Sequence, residues 1–481
     1  MKEVAIDLLS ALDWLVLFYF LVLNTSYLML VLAAARQAGH SLRRGPTSNY
    51  DDIFANPATP AVSVVMAAYN EEACVVESVR AALGLRYPEF EVIVVDDGSS
   101  DRTFERLRAE FDLAEVAPAV DPDVGTLGAM RSMHASTTDD PLVVVRKVNV
   151  QKRSDAINAG LNVAQYPLVC CVDADSILEA DALLRVVEPF VDDPDRVIAT
   201  GGSIRAINGS PVYRGQIGEP QLPRGWLARI QVLEYLRSFL LGRSGWSGFG
   251  GLLIISGAFG LYRRDALIDI GGFDTDSLAE DADATIALHR RAIERGDDYR
   301  IVFVPDSVCW TEVPSSRSDL ARQRRRWSHG LFQVMSKHRR VIGNPRYGRV
   351  GIVAMPYYLL FELLGAVVEL VGVAAVVLGL ALGVVSIDFA ILFAVVAIGF
   401  GIAVSLSALL VEEVIYHKYR SWPDLLRLVA ACLLENLGYR QLHAWWRLQG
   451  LADAFGNREP EWGEIHRAGF AAEQPAPHPP R

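Results

Sequence analysis

Apolar positions along this 481-residue chain gather near its two ends, and between them apolar and polar stretches alternate. Residues 14–35 read WLVLFYFLVLNTSYLMLVLAAA. That is about 22 residues without a charge, enough for one helix to cross a bilayer. Glu3, Asp7 and Asp13 precede the run in place of a basic cluster, and the run is too long for a cleavable leader, so it is expected to stay as a membrane helix. Arg36, Arg43 and Arg44 follow it. Positive charge favours the cytoplasmic side, which puts the N-terminus outside and the chain after Arg36 in the cytoplasm.

From residue 60 to residue 310 the pattern changes. Short β-branched runs at 62–67, 91–96, 142–145, 168–173, 196–200 and 301–304 alternate with helical patterns such as 74–85, 154–163 and 180–190. This alternation predicts an α/β domain with a largely parallel sheet. Such sheets bind ligands beyond the carboxyl ends of their strands. The polar stretch 113–140 reads as a loop excursion without chemistry of its own.

A basic run, Lys337, Arg339, Arg340, Arg346 and Arg349, opens the third zone and again marks the cytoplasmic side. Residues 351–385 are apolar apart from Glu362 and Glu369, and Pro356 is expected to separate an interfacial turn from the membrane helix. Residues 389–411 are uncharged and long enough to cross, and the connection 386–388 lacks basic residues, so it should lie outside. Residues 425–446 carry Glu435, Asn436, Arg440 and His443, and either cross the bilayer or form an interfacial or re-entrant helix. The Pro-rich tail after Gln474 is expected to be disordered. The domains are therefore 1–44, with one span; 45–340, catalytic and cytoplasmic; 341–456, with two or three spans; and the tail 457–481.

A net charge of −11 excludes nucleic acid as the partner, because no surplus of Lys and Arg is available for phosphates. Cys74, Cys170, Cys171, Cys309 and Cys432 have no paired spacing and read as reduced core residues.

The candidate chemistry falls where strands end. Tyr69-Asn70-Glu71-Glu72 follows the first strand, where an aromatic can stack on a base and a carboxylate can accept from base or ribose; Asn70 capping a helix is the plainer explanation. Asp96-Asp97-Gly98-Ser99 ends the second strand and suits a nucleotide, although Asp and Gly are also ordinary turn residues. Asp173 and Asp175 alternate along an extended chain and so share a face. Two such carboxylates suit Mg²⁺ or Mn²⁺ on a diphosphate, with a helix cap at Asp175 or Ser176 as the alternative. Glu280 and Asp281 open a helical pattern, where they either complement the helix dipole or supply a general base. In Gln323-Arg324-Arg325-Arg326-Trp327, helical spacing puts Gln323, Arg326 and Trp327 on one face. Arg offers a bidentate fork to a diphosphate, and lipid contact by the same basic segment is the alternative.

In order and spacing, the series YNEE, VVDDGSSD, KRSDAINAG, DAD, AED and QRRRW resembles the processive family-2 glycosyltransferases, which include the cellulose, chitin, hyaluronan and poly-N-acetylglucosamine synthases. The resemblance covers about residues 60–338 by motif and the flanking helices by layout. It implies a GT-A-like, Rossmann-like nucleotide-sugar domain with a mixed, mostly parallel sheet, flanked by transmembrane helices in a multi-pass protein of the inner membrane. It implies that Tyr69, Glu71 and Asp97 hold the uridine of a UDP-sugar, with Lys152 beside the nucleotide. Asp173 and Asp175 would occupy the metal and diphosphate motif, Asp175 as the more direct ligand of Mg²⁺ or Mn²⁺. Asp281 would be the base with Glu280 beside it. Gln323, Arg326 and Trp327 would serve the leaving diphosphate and a glycan or glycolipid acceptor. AED stands where the family usually has TED, which keeps both carboxylates. Two rival readings are a transferase adding a single sugar to a lipid carrier, and a membrane transport subunit that uses Glu362 and Glu369, seven residues apart on one helix face.

Overall fold

The computed structural model describes residues 2–44, 50–118, 120, 122–416, 418–419 and 421–456, so the Pro-rich tail lies outside the described residues. The β-branched runs are apolar on both faces and need cover on both. They form one ten-stranded sheet and a small separate hairpin. In chain order the strands are β1 (Val62–Ala68), β2 (Phe90–Asp96), β3 (Leu113–Val116), β4 (Met130–Ser136), β5 (Leu142–Lys147), β6 (Leu168–Asp173), β7 (Ser176–Leu178), β8 (Val197–Ala206), β9 (Val212–Tyr213), β10 (Gln216–Ile217), β11 (Phe259–Arg263) and β12 (Arg300–Thr311). The sheet order is β3-β4-β5-β2-β1-β6-β11-β8-β12-β7, with β9 and β10 paired apart.

The sheet is mixed, as expected, but its parallel pairings are confined to the centre and to β8–β12, so it is not mostly parallel. Parallel pairing joins β5, β2, β1 and β6 at its centre and β8 to β12, while β3, β4, β7 and β11 pair antiparallel. Register aligns the strand ends: Ala68 lies opposite Asp96, and Ala67 opposite Asp173. The ends of β1, β2 and β6 therefore open on one edge. Helices Val75–Leu83, Arg153–Val163 and Ala182–Asp192 cover the faces and bury their apolar residues against the strands.

Two expectations change. The stretch 113–140 is not an excursion, because it supplies β3 and β4, which extend the sheet past β5. β3 is the edge strand and β4, beside it, is mostly only partly buried, so their sequence is too polar to read as β. The strand expected at 301–304 runs on to Thr311 through a register shift between Val304 and Val308.

Among the described residues, two helices are long and apolar enough to cross a membrane, at Ser10–Arg36 and Ile387–Tyr416. Asn24 of the first donates to the Val396 carbonyl of the second at 2.8 Å. A third element is bent: Val350–Leu363 and Gly365–Ala381 meet at 46°. The bend is not at Pro356, which follows a widened π-helical turn, Val350–Ala354. The candidate at 425–446 is interrupted. Gly438 takes φ 91° between Trp422–Leu434 and Tyr439–Phe455, and the latter helix packs on helix Arg317–Lys337. Ser328 donates to the Arg447 carbonyl at 2.8 Å, and a Cβ on Gly450 would lie 2.2 Å from the Arg325 carbonyl oxygen. Glu369 pairs with Arg440 at 2.8 Å and Glu362 with Arg447 at 3.9 Å, so both glutamates hold helices together.

Candidate active site

The two loops beyond β1 and β2 are laced to each other. Asn70 adopts φ 55°, and its Oδ1 accepts from the Ser100 backbone N–H at 2.8 Å. The Ser99 hydroxyl accepts from Asn70 N–H, and Asp101 accepts from Glu72 N–H at 3.0 Å. Asn70 is thus a loop stitch instead of a helix cap. The stitching brings Tyr69, which is 45% exposed, to the same corner as Glu71 and Asp97.

Asp97 is buried, and burial pushes its carboxyl up against the opposing pull of Lys147. Lys147, at the end of β5, is fully buried and bridges Asp97 and Asp155, the latter at 2.7 Å. Asp155 also accepts from the Gly128 backbone N–H at 3.0 Å. Motif reading missed both Lys147 and Asp155. The available signal was that β5, ending in Arg146 and Lys147, lies parallel beside β2, ending in Asp96 and Asp97. Lys152, in contrast, reaches to the rim and pairs with the exposed Asp276 at 2.8 Å.

The centre of the site is Arg153. Its Nε donates to Asp173 Oδ1 at 2.8 Å, Nη1 to Glu280 Oε1 at 2.8 Å, and Nη2 to the Gly257 carbonyl at 2.8 Å. One guanidinium therefore joins the end of β6 to the AED turn and to the loop entering β11. Asp175 is buried beside Asp173, and its Oδ1 accepts from the Ser176 hydroxyl at 3.3 Å. Neither Asp175 nor Ser176 caps a helix, because the chain continues into β7.

Asp281 opens helix Glu280–Arg295. Its Oδ2 accepts from Gly257 N–H at 3.1 Å and its Oδ1 from Ala282 N–H at 2.8 Å. Burial, then the neighbouring Glu280, pushes its carboxyl from 3.8 up to about 6. Asp283, two residues on, turns away to His338 at 2.8 Å and Lys337 at 2.7 Å. Burial raises that carboxyl, but the hydrogen bonds from His338 and Lys337 more than offset it and hold it low.

Helix Arg317–Lys337 completes the wall. A Cβ on Gly330 would lie 2.9 Å from Ala279 Cβ, and Gln333 accepts from Leu278 N–H at 3.1 Å, so this helix is seated on the AED turn. The electrostatic neighbours of Arg326 are Glu280, Asp173, Arg153 and Asp281, and burial holds its guanidinium below its ordinary range. Gln323 Oε1 is buried without a hydrogen-bond partner. Trp327 is 41% exposed and has the Arg324 guanidinium 4.5 Å from its ring centroid. Arg324 faces away and pairs with Glu234 at 2.6 Å. The acidic motifs and Arg326 therefore meet in one place, with the Tyr69–Asp97 corner on the same strand edge.

Residues 63–271 match the family model for glycosyl transferase family 2, and residues 168–406 match that for glycosyl transferase family group 2. The poly-beta-1,6-N-acetyl-D-glucosamine synthase of Staphylococcus aureus (strain COL) is 27% identical over 300 residues, covering 62% of this chain and 60% of that protein. The Staphylococcus epidermidis synthase of the same name is 30% identical over 274 residues, covering 57% and 55%. The chain thus spans about 60% or less of the length of these curated relatives. Among solved structures, the mannosyltransferase PcManGT from Pyrobaculum calidifontis, in complex with GDP-Man and Mn²⁺, has a TM-score of 0.56 at 20% identity. The match covers 92% of this chain and 100% of that one, which supports the GT-A fold. With two family models overlapping on the domain that carries these carboxylates, the chain belongs to the family-2 glycosyltransferases.

Proposed function

We propose that the enzyme transfers sugar from a UDP-sugar to a growing glycan at the cytoplasmic surface of the membrane, with inversion at the anomeric carbon. The supporting observation is the grip of Arg153 on both Asp173 and Glu280, which brings the DAD and AED motifs within one guanidinium's reach. In this reading Asp281 takes the proton of the acceptor hydroxyl as that hydroxyl attacks opposite the diphosphate. A carboxyl raised to about 6 is ionised at neutral pH yet more basic than an ordinary aspartate. Arg326 stabilises the negative charge that develops on the leaving diphosphate. Tyr69, Glu71, Asp97 and Lys152 form the nucleotide side, and Gln323 and Trp327 border the acceptor.

The donor set fits a cation shared with substrate. No group of three or more His, Cys, Asp or Glu among the described residues could hold a metal alone. Mg²⁺ and Mn²⁺ sites commonly use one or two carboxylates and take further ligands from substrate phosphates. Asp175 would hold the cation, with Asp173 shared between it and Arg153. The ion would neutralise the diphosphate as it departs. Arg36 and the basic run at 337–349 support a cytoplasmic catalytic domain and an N-terminus outside.

The test uses detergent-solubilised protein, a panel of UDP-sugars, and Mg²⁺ or Mn²⁺, reading released UDP and product mass. The expected result is UDP release that a chelator stops, with products forming a ladder of sugar units. A single-sugar product would favour addition to a lipid or glycolipid acceptor over chain extension. UDP release unchanged by chelation would remove the metal, and no release from any UDP-sugar would remove the donor class.

A further inference from the structure

A cavity of about 370 Å³ lies away from the catalytic centre, between the start of β12 and the segment that leads into the membrane. Three arginines line it, Arg300, Arg346 and Arg349, and no acidic residue does. Asp193 holds Arg300 at 3.0 Å. Arg346 and Arg349 have no carboxylate partner among the described residues, and Arg349 leans on Phe249, donating to its carbonyl at 3.2 Å.

The surroundings are those of a membrane boundary. Val350 begins the bent helix pair, and Ile352 and Val353 on its first turn are 52% and 41% exposed. Phe249, next in the chain to the lining residue Gly250, is 37% exposed. The segment carrying Phe249 is seated on the first membrane helix: a Cβ on Gly245 would lie 2.7 Å from Leu30. Two arginines without counter-ions thus face a cavity whose rim carries exposed apolar side chains. That combination matches a phosphate joined to acyl chains, because the guanidinium fork binds the phosphate while the apolar rim stays in lipid. A soluble phosphate would gain nothing from the rim.

We propose that this cavity binds the phosphate headgroup of an anionic phospholipid, held by Arg346 and Arg349, in the leaflet next to the catalytic domain.

The experiment is native mass spectrometry of the full chain in detergent, titrated with phosphatidylglycerol, phosphatidylcholine or inorganic phosphate. Wild type should retain phosphatidylglycerol in preference to phosphatidylcholine. R346Q/R349Q should weaken that retention about 30-fold, equivalent to about 1 kcal/mol for each arginine. R108Q, which removes an exposed arginine from the edge-strand side of the domain, should leave it unchanged. A melting temperature equal to wild type shows that the double variant is folded. Undiminished lipid retention in R346Q/R349Q, or equal loss in R108Q, overturns the proposal. Displacement of phosphatidylglycerol by millimolar inorganic phosphate overturns it too, by reassigning the cavity to a soluble anion.

Discussion

Replacing Asp281 by Asn removes one charge and exchanges one oxygen for an amide group, and both consequences can be sized. Burial and Glu280 raise this carboxyl from 3.8 to about 6, which at pH 8 is about 3 kcal/mol against the ionised form. Removing the charge returns up to that amount. Against it, the two oxygens accept from Gly257 N–H and Ala282 N–H, and an asparagine can serve only one of them. A buried N–H left facing an NH₂ costs about 1–3 kcal/mol. The two effects nearly cancel, so at pH 8 the variant should melt within about 4 °C of wild type. The sign then depends on pH. The folded carboxyl takes up its proton near pH 6 and the unfolded one near 3.8, so wild type gains on the variant as pH falls through that window. Turnover should drop about 10²–10⁴-fold while the donor still binds. The assays are thermal melts from pH 8 to pH 4, UDP release, and a donor binding isotherm. More than a tenth of wild-type turnover, or loss of donor affinity in proportion to turnover, would refute the base assignment. A pH-independent difference in melting would refute the burial argument.

Arg153→Ala leaves Asp173 and Glu280 without their shared partner and should cost about 3–5 kcal/mol at most, less to the extent that water reaches the site, together with turnover; a melt near that of wild type would refute the link. Lys147→Met strands two buried carboxylates and should lower stability and donor affinity together, read by melting and by a donor isotherm. Gly330→Ala forces a methyl against Ala279 and should cost about 1–3 kcal/mol, with turnover falling more than donor binding. Arg326→Lys keeps a charge but loses the fork, and should slow turnover about 10–100-fold, the equivalent of about 1.5–3 kcal/mol for a hydrogen bond to a charged group.

The strands that end in chemistry were the most legible part of the sequence. β6 is apolar throughout and stops at Asp173, so its run reads correctly to the residue. β3 and β4 lie at the end of the sheet, where few of their side chains are fully buried and the apolar signal fades. The break at Gly438 was hidden because an apolar count cannot register a left-handed backbone. Within the site, motifs identified which carboxylates matter but not what binds them. Arg153 lay inside the KRSDAINAG run, yet only the fold shows that it spans two motifs distant in the chain. Lys147 belongs to no motif, and its role comes from the strand that happens to lie beside its own.

Helix Arg317–Lys337 links the site to the apolar helices. One side of it is fitted to the AED turn through Gly330 and Gln333, and another to helix Tyr439–Phe455 through Ser328 and the Arg325–Asp453 pair at 2.7 Å. That second helix sends Arg440 and Arg447 to glutamates of the bent membrane-entering pair. A separate anchor ties β8 to the end of Ile387–Tyr416, where Arg205 makes a buried bidentate pair with Glu412 at 2.8 and 2.7 Å. Close-packed interiors transmit displacement with little compliance, so the turn holding Asp281 is fixed relative to the membrane helices through two routes. On the proposed reading, this means that the acceptor hydroxyl must be presented at a set height above the bilayer. The exposed Trp327 surface lies on the helix that sets that height.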